Sequence, residues 1–200
     1  MRYFSDHPRI KWLLRLLLCW LALPYVLTFV YFIVPPSSTL MLADMLTGQS
    51  TQRHWVPLSQ LPPSFVQTVL TAEDSAFCEH FGMDFTQLAK SIRRSQKSDK
   101  PVKATSTITQ QTAKNLFFWG GRSWLRKALE VPAAFWLEIF WSKERILETY
   151  LNVAEWGKGI YGVEAAARAH FGVAARSLTP YQSALLATSL PNPISRNAAR

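Results

Sequence analysis

Nineteen consecutive residues, from Leu16 to Val34, carry no charge and are rich in Leu, Val, Phe and Trp. As a helix this stretch spans roughly 28 Å, close to the hydrocarbon thickness of a bilayer. Pro24 lies near its middle and predicts a kink, which a membrane helix tolerates. Arg2, Arg9, Lys11 and Arg15 precede the span, whereas the first charge after it is Asp44. The positive-inside rule therefore places the N-terminus in the cytoplasm and everything beyond Pro35 outside. A cleaved signal peptide predicts a shorter apolar region followed by an A-x-A-like site, and neither is present. The reading is a retained signal anchor, with Cys19 a buried apolar residue inside it. It divides the chain into a basic cytoplasmic tail over 1–15, a span over 16–34, a connector over 35–63 and a folded domain over 64–200.

The remainder has to fold as one domain. The 200 residues are 48% hydrophobic and 18% charged, which excludes a disordered tail protein because the apolar supply is ample for a core. Glycine and proline show no period. Two cysteines, Cys19 and Cys78, make no disulfide framework, and no C-x-x-C is present to hold zinc. The fold class expected is mainly α. Ser64 to Thr71 reads as a short apolar helix. Asp84 is placed to cap a helix from Phe85 to about Gln96, with Leu88 and Ile92 inward and Lys90, Arg93 and Arg94 outward. Ser106 or Thr107 starts the next, to Phe118. Ser123 caps one containing Arg126 to Trp141, and Ser142 one running to Asn152. Thr179-Pro180-Tyr181-Gln182 is a capping box with proline in the first turn, opening a helix that ends before Pro191. A β-hairpin is expected only in the connector, if anywhere.

No G-x-S-x-G elbow, H-E-x-x-H or Walker loop is present. Four other segments carry chemistry. The run from Glu73 to Asp84 holds four carboxylates in twelve residues, with Asp74, Phe77, His80 and Gly82 between its ends. A glutamate ending an apolar helix is well placed for a raised pKa, as a general acid or base requires; a solvated acidic turn is the plainer reading. Hydroxyl and amide side chains follow in Ser106, Thr107, Gln110, Gln111 and Asn115, with Lys114 among them. At a helix start they offer partners to sugars or phosphate oxygens, or they simply furnish a cap. Arg122, Arg126 and Lys127 then bring three cations to a helix start just before Glu130; an i,i+4 ion pair of Arg126 with Glu130 is the structural alternative. Lys143 to Asn152 looks like an amphipathic structural helix.

The location of charge discriminates better than its total. The formal net charge is +9, and residues 86–127 alone hold ten cations against one acid, Asp99. Phe117, Phe118, Trp119 and Trp124 lie among them, and an apolar stretch from Val131 to Trp141 follows. Aromatics among cations suit stacked bases or a membrane interface. The anchor places this segment away from nucleic acid, so a lipid-linked phosphate satisfies both features.

Taken in order, the four motifs resemble those of the family-51 glycosyltransferases that polymerise peptidoglycan, in their stand-alone form. The likeness runs from the anchor to Leu190-Pro191-Asn192-Pro193. It implies a lysozyme-like helical domain with a smaller membrane-touching lobe, and lipid II and a lipid-linked glycan strand as substrates. It also implies residence in the bacterial inner membrane, the catalytic domain outside, with membrane lipids and other cell-wall synthesis or division proteins as partners. By resemblance Glu73 is the general base. Glu130 is the second family carboxylate, assisting near the leaving pyrophosphate or orienting its cationic partners. Lys114, Arg122, Arg126 and Lys127 stabilise that pyrophosphate, with Ser106, Thr107, Gln110, Gln111 and Asn115 as further binding residues; Asp74, Phe77, His80, Gly82 and Asp84 support the first motif. No cofactor is expected outright, although a divalent cation, Mg or Mn, could share the charge. Two departures stand out: Ala104-Thr105 replaces the glycine usual before the Ser-Thr-Ile run, and relatives continue beyond the Pro-Asn-Pro stretch, so either the C-terminus reads as truncated or the tail as dispensable. Two other classes fit the residues as well, a lysozyme-like glycan-cleaving enzyme and an inactive membrane scaffold of a cell-wall complex.

Overall fold

The computed structural model describes residues 8–98, 106–121, 123–196 and 198. The chain divides into two units, Met1–Pro35 and Pro36–Arg200. The first contains one helix, α1 (Pro8–Val30), with Pro24 inside it. Over Arg9–Val30 it is long and apolar enough to cross a membrane. It begins before the uncharged run, because Arg9, Lys11 and Arg15 are compatible with helix, and gives way to turn at Tyr31. Cys19 lies exposed on its surface rather than buried within the protein.

The second unit holds α2 (Thr39–Leu46), β1 (Gln52–Arg53), α3 (Pro63–Glu73), α4 (Phe85–Ser98), α5 (Ile108–Phe117), α6 (Trp124–Phe140), α7 (Lys143–Val153), β2 (Glu155–Gly157), β3 (Ile160–Tyr161), α8 (Val163–Phe171) and α9 (Pro180–Ser189). Short 3₁₀ turns occupy Leu58–Gln60 and Ala175–Ser177. Helix α5 lies at the centre, against α6 and α7, while α3 packs along α9. Phe65, Ile108, Leu137, Ile146, Trp156 and Leu186 are fully buried between these elements.

The expected helix starts are observed; α3 opens on Pro63, one residue before the expected Ser64, with no side-chain cap, while the others carry theirs. Thr107 Oγ1 accepts from the Gln110 amide at 3.1 Å while Gln110 Oε1 accepts from the Thr107 amide at 3.3 Å. Thr179 and Gln182 repeat this box at α9. Ser123 and Ser142 cap α6 and α7, and Asp84 Oδ1 accepts from the Gln87 amide at 2.7 Å.

Three expectations are corrected. The hairpin lies not in the connector but after α7, as β2 and β3; the connector supplies only β1, which joins β3 in parallel through Gln52↔Ile160 and Arg53↔Tyr161. Strands of two or three residues show no alternation, and glycine makes them possible. A Cβ on Gly159 (φ +72°) would stand 2.6 Å from the Ser50 carbonyl oxygen, and one on Gly162 (φ +82°) 2.9 Å from that of Asn152. Second, the connector also contains α2, and α8 follows the hairpin; the Ser38 hydroxyl caps α2 by accepting from the Met41 amide at 3.1 Å, a signal the sequence reading passed over, whereas α8 has no side-chain cap. Third, α4 has the expected start and outward cations, but Ile92 is 41% exposed and no α4 side chain described is fully buried.

Candidate active site

Helix α3 is apolar on the face that buries Phe65 and Val69, and it ends on Glu73. The Glu73 carboxylate sits half-buried at the helix terminus, where Gln111 Nε2 of α5 donates to its Oε2 at 2.8 Å. Burial is the main influence on this carboxyl and pushes it above the usual range; the Gln111 bond and the Lys114 charge oppose that, and Asp74 adds to it. The orientation of Gln111 is itself fixed. The hydroxyl of fully buried Tyr150 (α7) donates to Gln111 Oε1 at 3.3 Å, which leaves the amide nitrogen facing Glu73. A cleft of about 90 Å³ opens beside the carboxylate, lined by Glu73, Asp74, Asp84, Gln87, Ser106 and Thr107. A larger hollow of about 450 Å³ beside His54, Trp55, Glu164 and Arg168 contains none of the expected site residues.

Asp74 joins three segments. Its carboxylate accepts from the Ile108 amide at the start of α5 at 2.9 Å and bonds His80 Nε2 at 2.9 Å. An anion at a helix N-terminus is favoured by the free amides and the dipole. His80 lies edge-on to buried Phe77. The chain then turns at Gly82 (φ +73°), where a Cβ would stand 3.3 Å from the Phe135 amide nitrogen of α6. Thr107 Oγ1 donates to the Gly82 carbonyl at 2.7 Å. Because the segment is a turn and not a helix, His80 and Asp84 share no helix face; Asp84 caps α4 instead.

The cations gather around the second carboxylate. Glu130, its side chain 3% exposed, pairs with the Arg126 guanidinium one helical turn earlier and with Lys127 Nζ at 3.1 Å. Arg126 also donates to the Gly121 carbonyl at 2.6 Å. Lys127 Nζ donates to Ser106 Oγ at 2.7 Å and lies 3.4 Å from Gln110 Oε1. Lys114 stands in the field of both carboxylates: burial pushes its ammonium down, Glu130 and Glu73 oppose this, and Arg126 and Lys127 reinforce it. The fold thus brings Glu73, Gln111, Lys114, Glu130, Arg126 and Lys127 into one constellation with Ser106 and Gln110. Asn115 is buried further along α5, where its carbonyl accepts from the Thr39 hydroxyl at 3.4 Å. Arg122 and Ala104-Thr105 lie outside the described residues.

Sequence reasoning passed over Tyr150, Glu138 and Lys143. Two had a signal: a tyrosine hydroxyl on an otherwise apolar helix face needs a partner, and Glu138 is the lone charge inside the apolar stretch 131–141. Glu138 Oε1 accepts from the Gly82 amide (3.1 Å), the Thr109 hydroxyl (2.6 Å) and Lys143 Nζ (2.7 Å).

A divalent ion needs several free oxygens. Among the described residues no three His, Cys, Asp or Glu side chains gather to offer them, and both Glu130 oxygens are engaged by cations. What the site does present is a carboxyl held above its usual range beside a cluster of cations, of which Arg126 is buried. That pairing suits acid–base chemistry beside an anionic group. Residues 40–200 match the family model described as Transglycosylase, and the chain belongs to that family. It is 50% identical over 192 residues to the biosynthetic peptidoglycan transglycosylase of Agrobacterium fabrum (95% of this chain, 84% of that one). It is 46% identical over 188 residues to the protein of the same name from Haemophilus influenzae (90% and 76%).

Proposed function

We propose that this chain is a peptidoglycan glycosyltransferase that polymerises lipid II into β-1,4-linked glycan strands and releases undecaprenyl pyrophosphate. One observation carries the reading: Lys114 lies within the fields of two carboxylates, Glu73 above its usual range and Glu130 bound to Arg126 and Lys127. A base and a site for a departing anion therefore stand on either side of one cation. The acceptor's 4-hydroxyl oxygen attacks C1 of the terminal donor sugar, and the bond from C1 to the pyrophosphate oxygen breaks. The configuration inverts in one displacement. Glu73 takes the hydroxyl proton, while the charge that grows on the pyrophosphate is met by Lys114, Arg126 and Lys127, with Arg122 joining them. Glu130 orients those cations.

The same reading covers placement. Helix α1 anchors the chain by a single pass in the bacterial inner membrane, with 1–15 in the cytoplasm, 35–63 as connector and 64–200 catalytic on the outer side. The exposed Phe85, Ile92, Trp124, Leu125, Ile139 and Phe140 of α4 and α6, beside the α4 cations, meet the membrane surface where the substrate's lipid resides.

Incubation of the full chain with fluorescent lipid II, resolved on a gel, tests the function. A ladder of polymer is expected. Its absence in every detergent supports a scaffold instead, and release of muropeptides from purified sacculi supports a glycan-cleaving enzyme.

A further inference from the structure

We propose that Glu138 is a positioning residue for the reaction: its carboxylate locks the 77–84 turn against α5 and so fixes where the Glu73 carboxylate stands. The inference rests on Glu73 being the base. Glu138 lies on α6 with its side chain 3% exposed, and all three of its hydrogen bonds converge on Oε1. The donors come from three segments, and each borders the site. Gly82 belongs to the turn that carries His80. Thr109 lies between Ile108, whose amide Asp74 holds, and Gln111, whose amide nitrogen holds Glu73. Lys143 opens α7, the helix that carries Tyr150.

Lys143 extends the lock. Its ammonium donates to the His80 carbonyl at 2.7 Å and lies 4.4 Å from the centre of the Phe77 ring. The Gly82 carbonyl is taken by Thr107. The turn is therefore held at Phe77, His80 and both polar groups of Gly82. From there the path to the base is short: His80 bonds Asp74, which is covalently next to Glu73. An apolar side chain of similar volume would join α6 to α5 equally well. What the carboxylate adds is direction, since one oxygen must satisfy three donors from fixed angles. Misplacing a reacting group by about 1 Å costs on the order of 10²-fold in rate.

The test uses two variants of the full chain. Glu138→Gln keeps shape and an acceptor but removes the charge. Thr109→Val removes one donor and leaves the ion pair with Lys143 in place. Steady-state polymerisation of lipid II is measured across pH, with thermal melting alongside. In Glu138→Gln we expect kcat to fall by about 10–10²-fold with KM within about threefold, and the ascending limb of the pH profile to move. Thr109→Val moves both in the same direction by less, about 3–10-fold. The groups that face Glu73 are Asp74 beside it, Asp84 in the lining of the same cleft, Gln111 and Lys114 from α5 and Tyr150 from α7. Helix α9, also packed on α3, carries no charged residue and exposes its Tyr181. Glu138 is not among these groups, so a purely structural role leaves the limb where it is. A wild-type kcat and limb in either folded variant overturns the proposal, as does a raised KM with kcat unchanged. If Glu138→Gln does not fold, Thr109→Val decides alone. A fully active Glu73→Gln protein removes the underlying assignment instead, whatever the Glu138 variants do.

Discussion

As the proposed base, Glu73 has to lose its proton before it can accept another, and its burial delays that loss. Activity should therefore rise with pH through a value above the ordinary carboxyl range. It should fall again where Lys114, pushed below the ordinary lysine range, loses its charge. Lys114→Arg should carry the falling limb to higher pH, which a pH–rate profile reads directly. Glu73→Gln should lose about 10²–10⁴-fold in polymerisation while binding lipid II nearly as well. The same variant should melt higher than wild type at neutral pH. A carboxyl whose folded pKa is raised contributes fully below its unfolded pKa and loses that contribution as pH rises through the folded one. The non-titrating glutamine has no such loss, so the difference in melting temperature should vanish on acidification. Glu73 and the cations were legible because each belongs to a short motif. Their arrangement was not: the Tyr150 hydroxyl that turns Gln111 towards Glu73 comes from a position 39 residues away.

Helix starts are local events, and this chain announces them with Thr107, Ser123, Ser142 and Thr179, each accepting an amide from three residues on. Thr107 does more than cap, since its hydroxyl also holds the Gly82 carbonyl. Thr107→Ala should cost about 2 kcal/mol, one from the cap and one from the lost bond, lowering Tm by about 4–8 °C in a melt. Gly82→Ala combines a left-handed backbone with a close approach to Phe135. It should destabilise by about 1–3 kcal/mol, measured by urea unfolding. Elements lacking a local signal escaped the sequence reading. Helix α8 starts on Gly162 without a side-chain cap, and the strands are too short to show a period. The outward face of α4 followed from its charges, but the inner face implied by Leu88 and Ile92 has no buried residue, because amphipathicity states a need for a partner and does not supply one.

At the scale of the whole molecule the two cysteines report its topology. Cys19 lies on α1 and Cys78 is exposed in the turn before Gly82. A membrane-impermeant maleimide added to intact spheroplasts should label the wild-type chain and Cys19→Ser, but not Cys78→Ser; labelling of Cys78 only after lysis would reverse the proposed orientation. The pairing of β1 with β3 has a consequence of its own for biogenesis. It joins Gln52 to Ile160, and Asn152 likewise bonds both polar groups of Val56. A ribosome delivers these partners about a hundred residues apart, so closing that loop is a late event. In the proposed orientation the segment after the span reaches the far side first and waits, unpaired, for the last quarter of the chain. Translocation intermediates arrested before Tyr161 should thus stay open to protease near Arg53, and that site should close only when the hairpin has crossed.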